Sequence, residues 1–279
     1  MITLINIELL KIFRKWRTYI GFIAIAVAIL LIEIVLYYTG NEFISGTTKR
    51  LEQDFILLGN LFNGWFVTYL IMNALWVHIP FLICLVAGDV MAGEASAGTY
   101  RLLFTRPISR MEIITSKFIA TLLYTFSLVL FLALFSLLLG MFLLGSGDLL
   151  VFDNGTILIL PYSELLFRFS LSFLFAVICM CLVSSLAFLF SMLVENAIGP
   201  IIATVTIIMF FFIMGNLPYD FFMSLRPYLF TSYLDLWTLM FHEPIEWNEI
   251  LKHLSILFAY IFSFFAIAFF IFRKKDILS

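Results

Sequence analysis

Long apolar runs alternate with short polar stretches along the whole chain. Runs near 19–39, 66–88, 117–145, 168–194, 197–217 and 252–272 each reach the roughly 20 residues that a helix needs to cross a bilayer core. They predict an all-α polytopic membrane protein with six spans in a single transmembrane domain, 1–279. The third and fourth runs exceed the hydrocarbon thickness and are expected to tilt or project. A tight turn at Glu195-Asn196 separates the fourth from the fifth. Gly199-Pro200 opens the fifth; Pro is tolerated there because first-turn N–H groups have no helical partner.

Ahead of the first run, Ile2, Ile5, Leu9, Ile12, Phe13 and Trp16 fall within an arc of about 100° at helical spacing. Glu8, Lys11, Arg14 and Lys15 are assigned to the opposite side. Residues 1–18 are thus expected to form an amphipathic interface helix, its basic groups turned toward lipid headgroups or a partner. The plain alternative is an anchor that only orients the chain. The charged start resembles a signal peptide, but the run from Tyr19 to Tyr38 can span and no small-x-small site closes it, so an uncleaved first span is expected.

Between the spans, 40–65 and 146–167 read as modest polar loops. Residues 218–251 differ: Tyr219, Phe221, Phe222, Tyr228, Phe230, Tyr233, Trp237, Phe241 and Trp247 crowd into them. Such ring density belongs at a membrane interface. Two short re-entrant helices broken by Pro218, Pro227 and Pro244 are expected, against the alternative of an ordered external cap.

Composition adds weight to the membrane reading. Hydrophobic residues make up 63% and charged residues 12%, against about 25% charged in soluble domains. A net charge of −2 gives no reason to expect a nucleic-acid partner. Where the charges sit says more. Lys11, Arg14, Lys15 and Arg17, then Arg101, Arg106, Arg110 and Lys117, then Arg273, Lys274 and Lys275 outnumber Lys49, Arg50, Arg168, Arg226 and Lys252 on the other side. The positive-inside rule puts both termini and the loop at 89–116 in the cytoplasm, as for a bacterial inner-membrane protein. Cys84, Cys179 and Cys181 lie in apolar runs and read as packing residues; Cys179 and Cys181 would point about 200° apart on a helix.

Few groups suggest chemistry. Asn73, His78 and Glu33 are the deepest polar residues of their spans. Asn73 and His78 are candidates for lining a path, or for bonding between helices. Glu33, five residues from Tyr38, is expected near the outer surface. The chain has no G-x-x-x-x-G-K-[ST] cradle for a nucleotide, no H-E-x-x-H and no Gly-x-Ser-x-Gly elbow. It reads as a non-enzyme that binds no cofactor of its own.

The segment "GDVMAGEASAGTYRLLFTRPISRMEIITSK", Gly88 to Lys117, is the polar exception. Span two is expected to run on as a helix through Glu94, with Gly88, Ala92, Ser96 and Gly93, Ala97 leaving room for close helix approach. Gly98 breaks or caps it. A short helix over 99–105 follows, ended by Arg106-Pro107. Ser109 and Glu112 fit a capping box for span three. Asp89 and Glu94 are expected to pair with Arg101 and Arg106; the alternative is that the arginines only orient the chain.

This segment resembles the signature of ABC-2-type transporter permeases, at Glu94, Gly98, Thr99, Arg101, Leu102, Leu103, Arg106, Pro107, Ser109, Arg110 and Lys117. A basic amphipathic start, six spans, the "LVENAIGP" turn and an aromatic outer segment agree along the rest of the chain. The resemblance implies one permease subunit of a dimer, identical or mixed. A cytoplasmic coupling helix between spans two and three, together with the N-terminal helix (Lys11, Arg14, Lys15, Trp16), would dock a separate ATPase that carries ATP and Mg. Export of an amphipathic or lipid-like substrate is implied. An ion-driven secondary transporter and a scaffold subunit without transport are the rivals.

Overall fold

The computed structural model describes residues 1–48, 60–98, 108–153 and 156–274. Helix α1 (Ile2–Arg14) ends at Lys15, whose backbone is extended (φ −82°, ψ 132°). Helix α2 (Trp16–Thr48) starts at the next residue. Trp16 therefore belongs to the first span rather than to the stripe of α1, and its side chain is exposed. The Thr18 hydroxyl donates to the Ile12 carbonyl and pins the corner between the two helices.

The second apolar run is not one helix. Helix α3 (Gly64–Leu75) stops, residues 76–78 form turns, and α4 (Ile79–Ala87) and α5 (Asp89–Ser96) continue beyond Gly88. Pro80 accounts for the break: it has no N–H to return to the carbonyl of Trp76, four residues earlier. The expected extension through Glu94 is present and runs on to Ser96, with Gly98 at φ +66°, the left-handed conformation that favours glycine.

Helix α6 (Arg110–Leu144) begins with the expected capping box: Ser109 accepts from the Glu112 N–H, and the Glu112 carboxylate accepts from the Ser109 N–H. A two-stranded antiparallel hairpin follows, β1 (Leu149–Asp153) with β2 (Thr156–Leu160), where a polar loop was expected. Its Leu149, Leu150, Val151 and Leu160 are buried. Helix α7 (Tyr162–Leu193) is the centre of the bundle, packed against α4, α5, α6 and the two later long helices, α8 (Gly199–Asn216) and α10 (Trp247–Lys274). The short turn between α7 and α8, and Pro200 in the first turn of α8, are as expected.

Among the described residues, six helices are long and apolar enough to cross a membrane, the pattern of a multi-pass membrane protein. They cover 16–40, 79–96, 110–144, 162–193, 199–216 and 247–274. Between the last two lie a short helix, α9 (Asp220–Leu225), and 3₁₀ turns at 226–228, 230–233 and 236–241. These replace the two helices expected there. Their rings reach into the bundle: Trp237 lies 5.3 Å from Trp76 and 6.2 Å from Tyr69, centroid to centroid. Trp76 is twelve residues from Gly64, about 18 Å of helix, so the segment packs well into the bundle.

Arg168 holds that segment. Its guanidinium is almost wholly enclosed and donates to the carbonyls of Met240 and His242, each at 3.0 Å. It also binds Glu164 at 2.7 Å and pairs with Glu243. Near the same end, α3 and α6 touch through backbone. A Cβ on Gly64 would lie 2.5 Å from the Met141 nitrogen, and the Gly64 N–H donates to the Gly145 carbonyl at 2.9 Å. Glu33 is fully enclosed beside this crossing, its Oε1 3.6 Å from a Cβ built on Gly140.

Candidate functional site

The charged groups gather where α1, α5 and the start of α6 meet. Helix α1 carries Glu8 and Lys11, and Lys15 follows its last turn. The end of the second span carries Asp89 and Glu94, and α6 carries Lys117. Glu8 gives one oxygen to Lys11 (2.7 Å) and the other to Lys117 (2.8 Å). Glu94 Oε1 accepts from both lysines, at 3.0 and 2.7 Å. Two ammoniums and two carboxylates thus alternate in a closed ring. Beside it, Asp89 binds Lys15 at 2.8 Å and Arg17 at 3.2 Å.

Burial ranks these pairs. Lys117 is 1% exposed and Glu8 7%, whereas the side chains of Lys11, Lys15 and Arg17 are about half open. Breaking a buried pair by removing one partner typically costs about 3–5 kcal/mol, because the other charge stays uncompensated. Exposed pairs contribute about 0–1 kcal/mol each. The Lys117 contacts therefore dominate. Partial burial works against the Lys11 ammonium, but bonding to Glu8 and the charge of Glu94 outweigh it and raise its pKa above the ordinary 10.5.

A cleft of about 600 Å³ runs beside the ring between α1 and α5. Leu4, Ile7 and Val90 give it apolar walls, and Arg14 joins Lys15 and Arg17 on its rim. Ala97, next to the last described residue before 99–107, and Ile108, the first after it, also line it.

The predicted site residues divide three ways. Asp89, Glu94, Lys11 and Lys15 come together. Lys11 and Lys15 reach acids of the second span while their side chains stay about half open. Arg14 stays exposed. Ser109 caps α6, and Arg110 donates to the carbonyls of Phe272 (3.3 Å) and Arg273 (3.0 Å), tying α6 to the end of α10. Thr99, Arg101, Leu102, Leu103, Arg106 and Pro107, and with them the expected coupling helix, lie outside the described residues.

Asn73 and His78 stand apart from this cluster. The Asn73 amide donates to the Tyr69 carbonyl, and His78 Nδ1 lies 3.1 Å from the Ala74 carbonyl, both contacts within one turn. His78 sits at the break, on a groove that Ala24, Ile25 and Ala28 of α2 complete.

Glu8 and Lys117 were not among the predicted site residues. Glu8 is three residues after Ile5 and four before Ile12, so it borders the apolar stripe rather than opposing it. Lys117 is an isolated charge at the start of an apolar run, a position where a charge needs a partner.

Residues 57–278 match the family described as "Protein of unknown function (DUF2705)", and the chain belongs to that family. It is also 25% identical over 208 residues to "Uncharacterized protein YhcI" of Bacillus subtilis (strain 168). That match takes in 69% of this chain and 63% of the relative's length.

Proposed function

We propose that the chain is the permease subunit of an ABC exporter. It sits in the inner membrane with both termini in the cytoplasm and pairs with a second permease subunit, identical or homologous. A separate nucleotide-binding subunit hydrolyses ATP and carries the Mg. The substrate is amphipathic or lipid-like.

One observation carries this reading. Glu94 bonds Lys11 of α1 and Lys117 of α6 at once, and both Glu94 and Lys117 are among the residues that resemble the permease signature. A push on 99–107 enters α5 and α6 directly, and the ring passes it to α1. The cleft at Ala97 and Ile108 gives a partner an apolar surface with a basic rim.

Expression with its candidate ATPase tests the reading. The two should co-purify, and Glu94→Gln should lower ATP hydrolysis in membranes several-fold while insertion is unchanged. A chain that transports alone on an ion gradient would remove the ABC reading. That second reading, an ion-driven transporter, is favoured by the broken second span and by Glu33, whose carboxylate oxygens are buried without a hydrogen-bond partner among the described residues.

A further inference from the structure

The cleft between α1 and α5 is not electrically balanced. Five cations, Lys11, Arg14, Lys15, Arg17 and Lys117, stand in or beside it, against three carboxylates, Glu8, Asp89 and Glu94. The ring takes up two of each. Asp89 is shared by Lys15 and Arg17, and Arg14 forms no ion pair among the described residues. Arg14, Lys15 and Arg17 thus have one counter-charge between them and carry a surplus of two, and all three are exposed. The sequence of 99–107 contains two arginines and no acid that could offset it.

Below that rim the cleft is apolar. Leu85 and Val86 line it one turn before Asp89, on the side of the second span that runs on into the bundle. A volume of about 600 Å³ holds a phospholipid headgroup and the start of its chains. Trp16 and Tyr19, next to the basic groups, are both exposed, with ring centroids 6.4 Å apart. Trp and Tyr gather where a bilayer meets water. The surplus charge therefore sits at headgroup depth, with an apolar wall leading from it toward the hydrocarbon.

We propose that this cleft binds one anionic phospholipid, its phosphate held by Arg14 and Arg17 and its chains laid against Leu85 and Val86. Basic pockets among spanning helices hold acidic headgroups in this way. A zwitterionic headgroup would bring a further cation to three that already share one carboxylate. An acidic peptide would match the charge but not the wall at hydrocarbon depth. Ala97 lies about 12 Å of helix beyond Asp89, so the end of the cleft offered to a partner protein stays free. The binding needs no ATPase and stands apart from the permease reading.

Dioleoyl-phosphatidylglycerol, dioleoyl-phosphatidylcholine and inorganic phosphate, each titrated against the whole chain in a neutral detergent, test the site. Phosphatidylglycerol should raise the melting temperature saturably, and the other two should not. Arg14→Ala should raise the half-saturating lipid concentration about fivefold, and Arg14→Ala with Arg17→Ala about twentyfold. Lys274→Ala, at an exposed cation of α10 outside the cleft, should leave it unchanged. Arg14→Ala has no ion pair to lose and serves if the double variant melts early. An equal shift with phosphatidylcholine or with phosphate overturns the lipid site, as does an unchanged half-saturation in Arg14→Ala. A candidate ATPase that abolishes the phosphatidylglycerol shift would give the cleft to the partner protein and also overturn it. Failure of ATPase co-purification with the lipid effect intact removes the permease reading alone.

Discussion

The ammonium of Lys117 lies 2.7 Å from Glu94 Oε1, although 23 residues of chain separate the two. That contact joins the end of the second span to the start of the third whatever path the intervening segment takes. With Glu8 on its other side, Lys117 is the buried centre of the charged ring.

Lys117→Ala should be the most damaging change in the ring. It leaves two carboxylates sharing the half-open Lys11, and a loss of about 3–5 kcal/mol is expected. Thermal unfolding in detergent should show a large drop for Lys117→Ala and almost none for Arg14→Ala. Equal, small drops would mean that the ring adds nothing to stability.

Alkali should release α1 in a defined window. Burial opposes the Lys11 charge, but Glu8 and Glu94 raise its folded pKa above 10.5. Its stabilisation is therefore complete below 10.5 and is lost as pH rises through the raised value. The difference in melting temperature between wild type and Lys11→Met should be constant from pH 7 to about 10 and shrink above that. A difference that instead vanishes toward acid pH would reverse the assignment.

Gly64→Ala should destabilise more than Gly140→Ala. The new methyl would sit 2.5 Å from backbone at Met141 in the first case and 3.1 Å from the Gly64 carbonyl in the second. Overpacking costs about 1–3 kcal/mol, and backbone yields less readily than a side chain. Melting temperatures of the two variants give the ranking directly.

Glu33→Gln should fold as well as wild type. Both carboxylate oxygens are buried without a hydrogen-bond partner among the described residues, and an unpaired anion in a span is expensive, so a neutral amide loses no ion pair. A strong loss of stability in Glu33→Gln would reveal a cation partner for this carboxylate.

Local signals in the sequence translated well. The Ser109–Glu112 capping box, the stop near Gly98 and the Pro200 start each involve residues within one turn, and each formed as read. The hairpin was equally local: Asn154-Gly155 between apolar runs is a strong hairpin signal, but the apolar residues of the two strands were absorbed into an outer loop. The break at 76–78 was hidden because an apolar run reports composition, not hydrogen bonding; Pro80 was the only cue. The pairings of Glu8 and Lys117 required three helices to meet, which one-dimensional spacing does not encode. Glu33 was placed by its distance from Tyr38, whereas its burial follows from the backbone approach of Gly64 and Gly140.

The two halves of the second span are gripped by different neighbours. The upper half is fastened to α6 by close backbone contact at Gly64. The lower half is fastened to α1 and α6 by charge. Rotation of one end against the other therefore falls on the breaks between them, the three-residue kink at Trp76, Val77 and His78 and the turn at Gly88.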